Sequence, residues 1–229
     1  MKKFLKDTLK KNPLIQSWIK GLNNENVRNE FVIEQLKHLK PGIKLLDAGC
    51  GSQQYRKYAS HTEYFGQDFG QYVSDDKKMF GGESGGMCEN AQDFGEGYAY
   101  GALDYVGDIG DIAEDSVRFD AILCTEVFEH IPYPNETLSE FLRLLSSGGK
   151  LILTAPSNCL RHMDPFYFYS GFSDRWFEHF LEKYDFKVEL LLTVGDYYSR
   201  LMVELARTFR NHGIVDKAML APALIYFSF

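Results

Sequence analysis

Apolar residues recur at Val32, Leu36 and Leu39, with Val27 and Phe31 beside them, a spacing that predicts a helix over Asn24–Lys40. Pro41-Gly42 stops it. The periodicity then changes: "IKLLDA" is a short buried strand, a weak helical pattern runs from Gln53 to Ala59, and "EYFGQD" is a second strand. "DYVGD" supplies a third strand. "FDAILCT" supplies a fourth, apolar throughout, as befits a strand covered on both faces. Pro134 opens a helix whose stripe is Leu138, Phe141, Leu142 and Leu145, closed by Gly148-Gly149. "KLILTA" is a fifth strand, and Ser173 starts a helix with Trp176, Phe177, Phe180 and Leu181 facing inward. "FKVELLLTV" reads as a sixth strand and Tyr198–Asn211 as a last helix. Strand alternating with helix predicts an α/β fold: a doubly wound, mostly parallel sheet with helices on both faces.

Residues 70–101 interrupt this rhythm. Seven glycines follow Gly70 within the span, where one crossover helix is expected. Long loops of this kind serve as lids or binding segments, or carry no role. The chain of 229 residues, 45% apolar and 25% charged, fits a single domain over 1–229. Within it, 1–40 is a helical lead-in, 70–101 a glycine-rich insertion and 195–229 a C-terminal helical segment. A net charge of −7 argues against a nucleic-acid surface. Cys50, Cys88, Cys124 and Cys159 are scattered without a CxxC pair, which suggests reduced thiols and a cytoplasmic protein. The basic start "MKKFLKDTLKK" lacks the apolar stretch of a signal peptide, and no apolar run is long enough to span a membrane.

In doubly wound sheets ligands bind beyond the carboxyl ends of the strands. After the first strand comes Asp47-Ala48-Gly49-Cys50-Gly51, where glycines permit a tight turn and close approach of a ligand to backbone. Position 54, where a dinucleotide loop needs a third glycine, is Gln54, and no Gly-Lys-Ser/Thr phosphate loop is present. After the second strand Asp68 stands where a carboxylate accepts from ribose hydroxyls, a feature common to every adenosine ligand. After the third, Asp108 has the position to accept from an adenine amino group and Ile109 to cover the ring, although a turn aspartate explains Asp108 equally well. After the fourth, "TEVFEHIP" crowds two acids and a histidine together. The whole reads as a site for adenosine without pyrophosphate.

The ordered series "LLDAGCG", "YFGQDF", "DYVGDI", "FDAILCTEVFEHIP", "LRLLSSGGKLILTAP" and "HMDPFYFYSGFS" resembles the class I S-adenosylmethionine-dependent methyltransferases, closest to their small bacterial type 11 branch. The resemblance covers about Leu45 to Thr193. It implies a Rossmann-like methyltransferase fold of seven strands with an antiparallel edge, and S-adenosyl-L-methionine as cofactor. It implies that Gly49 and Gly51 back the methionine part, and that Asp47 orders that loop or holds the amino group. Asp68 then binds the ribose, Phe69 lies beside the adenine with Asp108 and Ile109 facing it, and Thr125 and Glu126 lie near the methionine end. The chain departs from the family in its long insertion and in the absence of an obvious seventh strand before "ALIYFSF".

Methyl transfer needs an aligned nucleophile and, for a hydroxyl acceptor, a base. The candidate catalytic residues are His130 and His162, with Asp164 able to orient the latter. Each has a structural alternative, as a packing or loop histidine. The spacing of His130, His162 and Asp164 matches no familiar ligand pattern, so no metal is expected. The aromatic run "DPFYFYSGFSDRWF" either walls an acceptor pocket or fills core. The expected partner is a small-molecule, glycan or lipid-linked acceptor, and "SRLMVELARTFRNH" with "AMLAPALIYF" offers a peripheral membrane contact, or a core or dimer helix. Two rivals to an O-methylating enzyme remain: a non-catalytic cofactor-binding scaffold, and a nicotinamide oxidoreductase, which Gln54 disfavours.

Overall fold

The computed structural model describes residues 24–71, 100–114, 117–163, 165–195 and 200–201. Val32–Leu192 forms one compact unit; Met1–Phe31 and Thr193–Phe229 fall in a second. The first unit holds every strand of the described residues. Its strands are β1 (Lys44–Ala48), β2 (Glu63–Asp68), β3 (Tyr105–Val106), β4 (Phe119–Thr125) and β5 (Leu145–Thr154). They lie in the order β3-β2-β1-β4-β5, and every pairing is parallel. The order reverses between β1 and β4, which opens a crevice at their carboxyl ends.

Alternation along the strands gives the sheet two buried faces. Leu46 and Ala48 of β1 and Ile122 and Cys124 of β4 join one apolar cluster. Leu138, Phe141 and Leu144 of helix α2 (Pro134–Leu144) and Trp176, Phe177, Phe180 and Leu181 of helix α3 (Asp174–Lys183) pack on it. Phe128 lies at its centre, fully buried, with its ring against Phe141, Phe172 and Trp176. Leu45, Asp47, Ala121 and Leu123 alternate to the other face and are buried as well. Helix α1 (Asn24–Lys37) buries Val32 and Leu36 outside the cluster.

The helix starts follow local rules. Pro134 occupies the first turn of α2, where its fixed φ costs nothing. The Ser173 hydroxyl accepts from the Trp176 amide at 3.1 Å to cap α3. Arg143 grips Glu140 at 2.7 Å through Nε and again through Nη2, and Glu140 accepts from the Ile112 amide at 2.9 Å. These contacts pin α2 to the segment that follows β3.

Several expectations need correction. The helix expected over Gln53–Ala59 is only a 3-10 turn, Arg56–Tyr58. Gln53 adopts φ 59 and ties its amide to the Ala102 carbonyl at 2.6 Å, which takes the backbone out of helical geometry. Helix α1 ends at Lys37 rather than Lys40. Gly148-Gly149 is not a helix stop: α2 ends at Leu144 and β5 begins at once. The pair lies where the register between the strands shifts, because Phe119 and Ala121 of β4 face Leu145 and Lys150 of β5. Leu142, expected inside, is exposed. "FKVELLLTV" forms no strand among the described residues, and Val188, Leu190 and Leu192 stand exposed without a strand to pair with. The antiparallel edge and the sixth and seventh strands are therefore not found among the described residues. The interior of the 70–101 insertion, Asp164 and nearly all of the C-terminal segment lie outside them. No helix of the described residues is long and apolar enough to cross a membrane.

Candidate active site

The turn after β1 is held open by glycine. Gly49 and Gly51 adopt φ 74 and 50, the left-handed region that side chains disfavour. A Cβ on Gly49 would also collide with the Val127 side chain. The Gly49 and Cys50 amides donate to the Gln67 carbonyl at 2.8 and 2.9 Å. The Gln67 side chain accepts from Gly49 at 3.2 Å and donates to the Gly107 carbonyl at 2.8 Å. Gln67, almost fully buried, thus links the glycine turn to the loop after β3.

Asp68 closes the same turn. Its Oδ2 accepts from the Gly51 amide at 2.8 Å and its Oδ1 from the Gly70 amide at 3.2 Å. Each oxygen keeps a further lone pair for a ligand hydroxyl. Phe69, next along, is 41% exposed and sets its ring edge-on to Phe166 at 5.4 Å between centroids. An exposed aromatic at a strand end offers a surface for a flat base.

Asp47 is buried and accepts from the Tyr64 hydroxyl at 2.5 Å. Burial pushes its carboxyl up to about 7, with the Tyr64 bond opposing and Asp68 adding to the rise. The Cys50 thiol is pushed up to about 12 by burial first, then by Asp47 and Asp68. Burial leads both shifts and holds Asp47 and Cys50 toward their neutral forms, so the Asp68 carboxylate is the acceptor that the turn offers to the ribose hydroxyls of a nucleoside. On that chemistry the residues fit S-adenosylmethionine.

The other expected contacts are mixed. Asp108 is exposed and accepts from the Gly110 amide at 2.7 Å, making its own turn. Ile109 is buried within the apolar cluster. Thr125 ends β4 opposite Thr154 of β5. Glu126 adopts φ 54, donates its amide to the Thr154 carbonyl at 2.9 Å and accepts from the Thr154 hydroxyl at 3.0 Å. A side chain held in left-handed geometry at a strand end is a feature of functional sites.

His130 and His162 come together, although 32 positions separate them in the chain. Their rings meet edge to face, 4.7 Å between centroids. His130 sits in a 3-10 turn, Phe128–His130, and its Nδ1 lies 2.6 Å from the Phe166 carbonyl. A carbonyl only accepts, so Nδ1 carries the proton and Nε2 the lone pair. Burial, then the neighbouring His162, pushes His130 down to about 4, partly offset by the Phe166 bond. The Nδ1 of His162 likewise meets the Leu160 carbonyl at 2.8 Å. Glu129 is almost fully buried. Its carbonyl accepts from the Phe168 and Tyr169 amides at 2.9 and 3.2 Å, which fixes the loop after β5 against the turn after β4.

Gln67 and Gln53 escaped the sequence reading. Their work is to bond backbone groups distant in sequence, which leaves no local pattern. Glu129 was visible as an acid beside His130, but nothing in the sequence shows its burial.

The class that this geometry defines is a Rossmann-like, nucleoside-binding α/β protein with a glycine turn. A methyltransferase-domain family model matches residues 23–213, and the chain belongs to that family, the S-adenosylmethionine-dependent methyltransferases. Four relatives named ubiquinone biosynthesis O-methyltransferase also match, two of which show the range. One, from Xanthomonas oryzae pv. oryzae, is 45% identical over 42 residues, 18% of each chain. The other, from Xylella fastidiosa, is 27% identical over 123 residues, 52% of this chain and 44% of that one. The chain thus spans less than half the length of these relatives. A SAM-dependent methyltransferase structure from Aquifex aeolicus is 19% identical, covers 72% of this chain and 83% of its own, and has a TM-score of 0.45.

Proposed function

We propose that this protein transfers the methyl group of S-adenosylmethionine to a hydroxyl of a small-molecule, glycan or lipid-linked acceptor. The observation that carries this reading is the pair His130–His162, each with Nδ1 committed to a backbone carbonyl and Nε2 bearing a lone pair. A base has most to do for a hydroxyl, which is a poor nucleophile until its proton is taken. The names of those relatives, O-methyltransferases matched over short stretches, support the same choice. When bound, the cofactor supplies a methyl on a positively charged sulfur.

The chain's own residues do the rest. The glycine turn and Asp68 hold the nucleoside, and the histidine pair receives the acceptor oxygen. With the cofactor held there, its methyl would pass to the acceptor oxygen with the thioether as leaving group, and the hydroxyl proton would go to an Nε2 lone pair of the histidine pair. Alignment contributes roughly 7–11 kcal/mol in well-oriented reactions, and removing the proton about 10²–10⁴-fold. Tyr133 and Phe168, both exposed, give apolar surface suited to an acceptor with a flat or hydrocarbon body.

The test is incubation with methyl-labelled S-adenosylmethionine and panels of phenols, sugars and lipids, followed by identification of labelled product. A methyl ether is expected. Label found only on nitrogen or carbon, or binding with no product from any panel or source lysate, would contradict the reading; the latter outcome favours a scaffold.

A further inference from the structure

Methyl transfer to a hydroxyl asks for one base. The turn after β4 holds more than that. One donor atom from each of Glu129, His130 and His162 lies within 4.8 Å of the others. We propose that these three side chains bind a single divalent transition-metal cation; the idea that this cation faces the acceptor hydroxyl rests on the function proposed above.

The direction of the hydrogen bonds argues for it. In a base–orienter pair the carboxylate accepts from the imidazole Nδ1–H. Here both Nδ1–H groups are spent on backbone carbonyls, Phe166 for His130 and Leu160 for His162. The Glu129 carboxylate lies on the opposite side of the His130 ring, with Oε1 3.6 Å from Nε2. The His130 Nε2 lone pair and the Glu129 carboxylate oxygen thus converge on one point, which a proton or a cation between them would fill. Fixing Nδ1–H by a backbone carbonyl is also how metal-binding histidines are commonly oriented.

Distances and donor types agree. Donors at about 2.0–2.1 Å from a tetrahedral ion stand roughly 3.3–3.4 Å apart. Glu129 and His130 are near that separation, and a modest rotation of the half-buried His162 ring closes the third side. Two imidazoles and one carboxylate suit zinc, cobalt or iron(II) rather than the all-oxygen sites of magnesium and calcium, and three ligands leave coordination positions open. The backbone bonds from Phe168 and Tyr169 to the Glu129 carbonyl hold the two contributing segments together without the ion. With both Nε2 atoms taken as ligands, the ion would replace the histidine base: it would acidify a hydroxyl that reached it, and the proton would pass to solvent.

The experiment uses the full, untagged, chelator-treated chain without cofactor or acceptor. Cobalt(II) is titrated and followed by visible absorption and by calorimetry, with zinc(II) as competitor. One equivalent of cobalt, displaced by zinc, is expected. His162→Ala and Glu129→Gln should each weaken it about 10- to 100-fold or more, at least the range set by outer-shell partners. His179→Ala, on the exposed face of α3, should not change it. His162 is the better probe if His130→Ala fails to fold, because its ring is half-buried. Absence of stoichiometric binding, or binding indifferent to both variants, overturns the proposal. Methyl transfer by the chelated protein at full rate removes only the ion's catalytic role. Tight binding with no methyl product would sink the function proposed above and leave the metal site standing.

Discussion

The Gly51 amide donates to the Asp68 carboxylate across 2.8 Å and so joins the end of β2 to the turn after β1. The residue expected to hold the ribose is thus also the residue that shapes the methionine-facing loop. Replacing it must be done without losing that bond. Asp68→Asn keeps an acceptor for Gly51 but removes the charge. A charged hydrogen bond is worth about 1.5–3 kcal/mol, so the affinity for S-adenosylmethionine should fall about 10- to 150-fold. Isothermal calorimetry on the folded variant checks this, and an unchanged Kd would show that the ribose lies elsewhere.

Gly49 meets both a backbone and a steric demand. Gly49→Ala places a side chain at φ 74, where the penalty is roughly 1–2 kcal/mol, and drives it into Val127. The variant should lose at least that much stability in urea unfolding. The double variant Gly49→Ala/Val127→Ala should recover relative to the sum of the single changes, since the collision is gone while the backbone strain stays. Strict additivity would mean that the two residues do not touch.

The buried Asp47 predicts a pH dependence. Its folded-state pKa of about 7 lies above the usual 3.8, chiefly through burial. The folded protein therefore holds this proton more tightly than the unfolded chain. The contribution is most favourable below the unfolded value, declines as pH rises through the interval up to about 7, and is flat above it. Asp47→Asn, which still accepts from Tyr64, should remove this part of the slope. Urea midpoints across that interval measure it, and an identical slope in both proteins would contradict the assignment.

His130 should stay neutral well below the ordinary range. In chelator-treated protein, NMR titration of its ring should give a pKa near 4, the result of burial and the neighbouring His162. His162→Ala removes one of the two causes, so the His130 value should rise in that variant. A value at or above the ordinary 6.5 in the intact protein would mean that the ring is solvated and the cluster not formed.

What was legible in the sequence was contiguous. The first five strands, the glycine turn, Asp68 and the Ser173 cap each occupy a few neighbouring residues, and each leaves a pattern of period or residue type. Gly148-Gly149 misled because two glycines after a helical stripe serve equally as a helix stop or as a break in strand register; only the partner strand decides. "FKVELLLTV" misled because alternation indicates a strand without supplying its neighbour. The links made by Gln53 and Gln67, and the approach of Glu129 and His130 to His162, depend on segments distant in sequence. No spacing rule reports such contacts.

The central claim is that the crevice between the ends of β1 and β4 takes a sulfonium nucleoside. It is tested most directly by a crystal structure with S-adenosylmethionine bound. The nucleoside should lie over Gly49 and Gly51, its ribose hydroxyls on the carboxylate of Asp68 and its base beside Phe69. Density for the ligand anywhere else, with the glycine turn bare, would contradict the account.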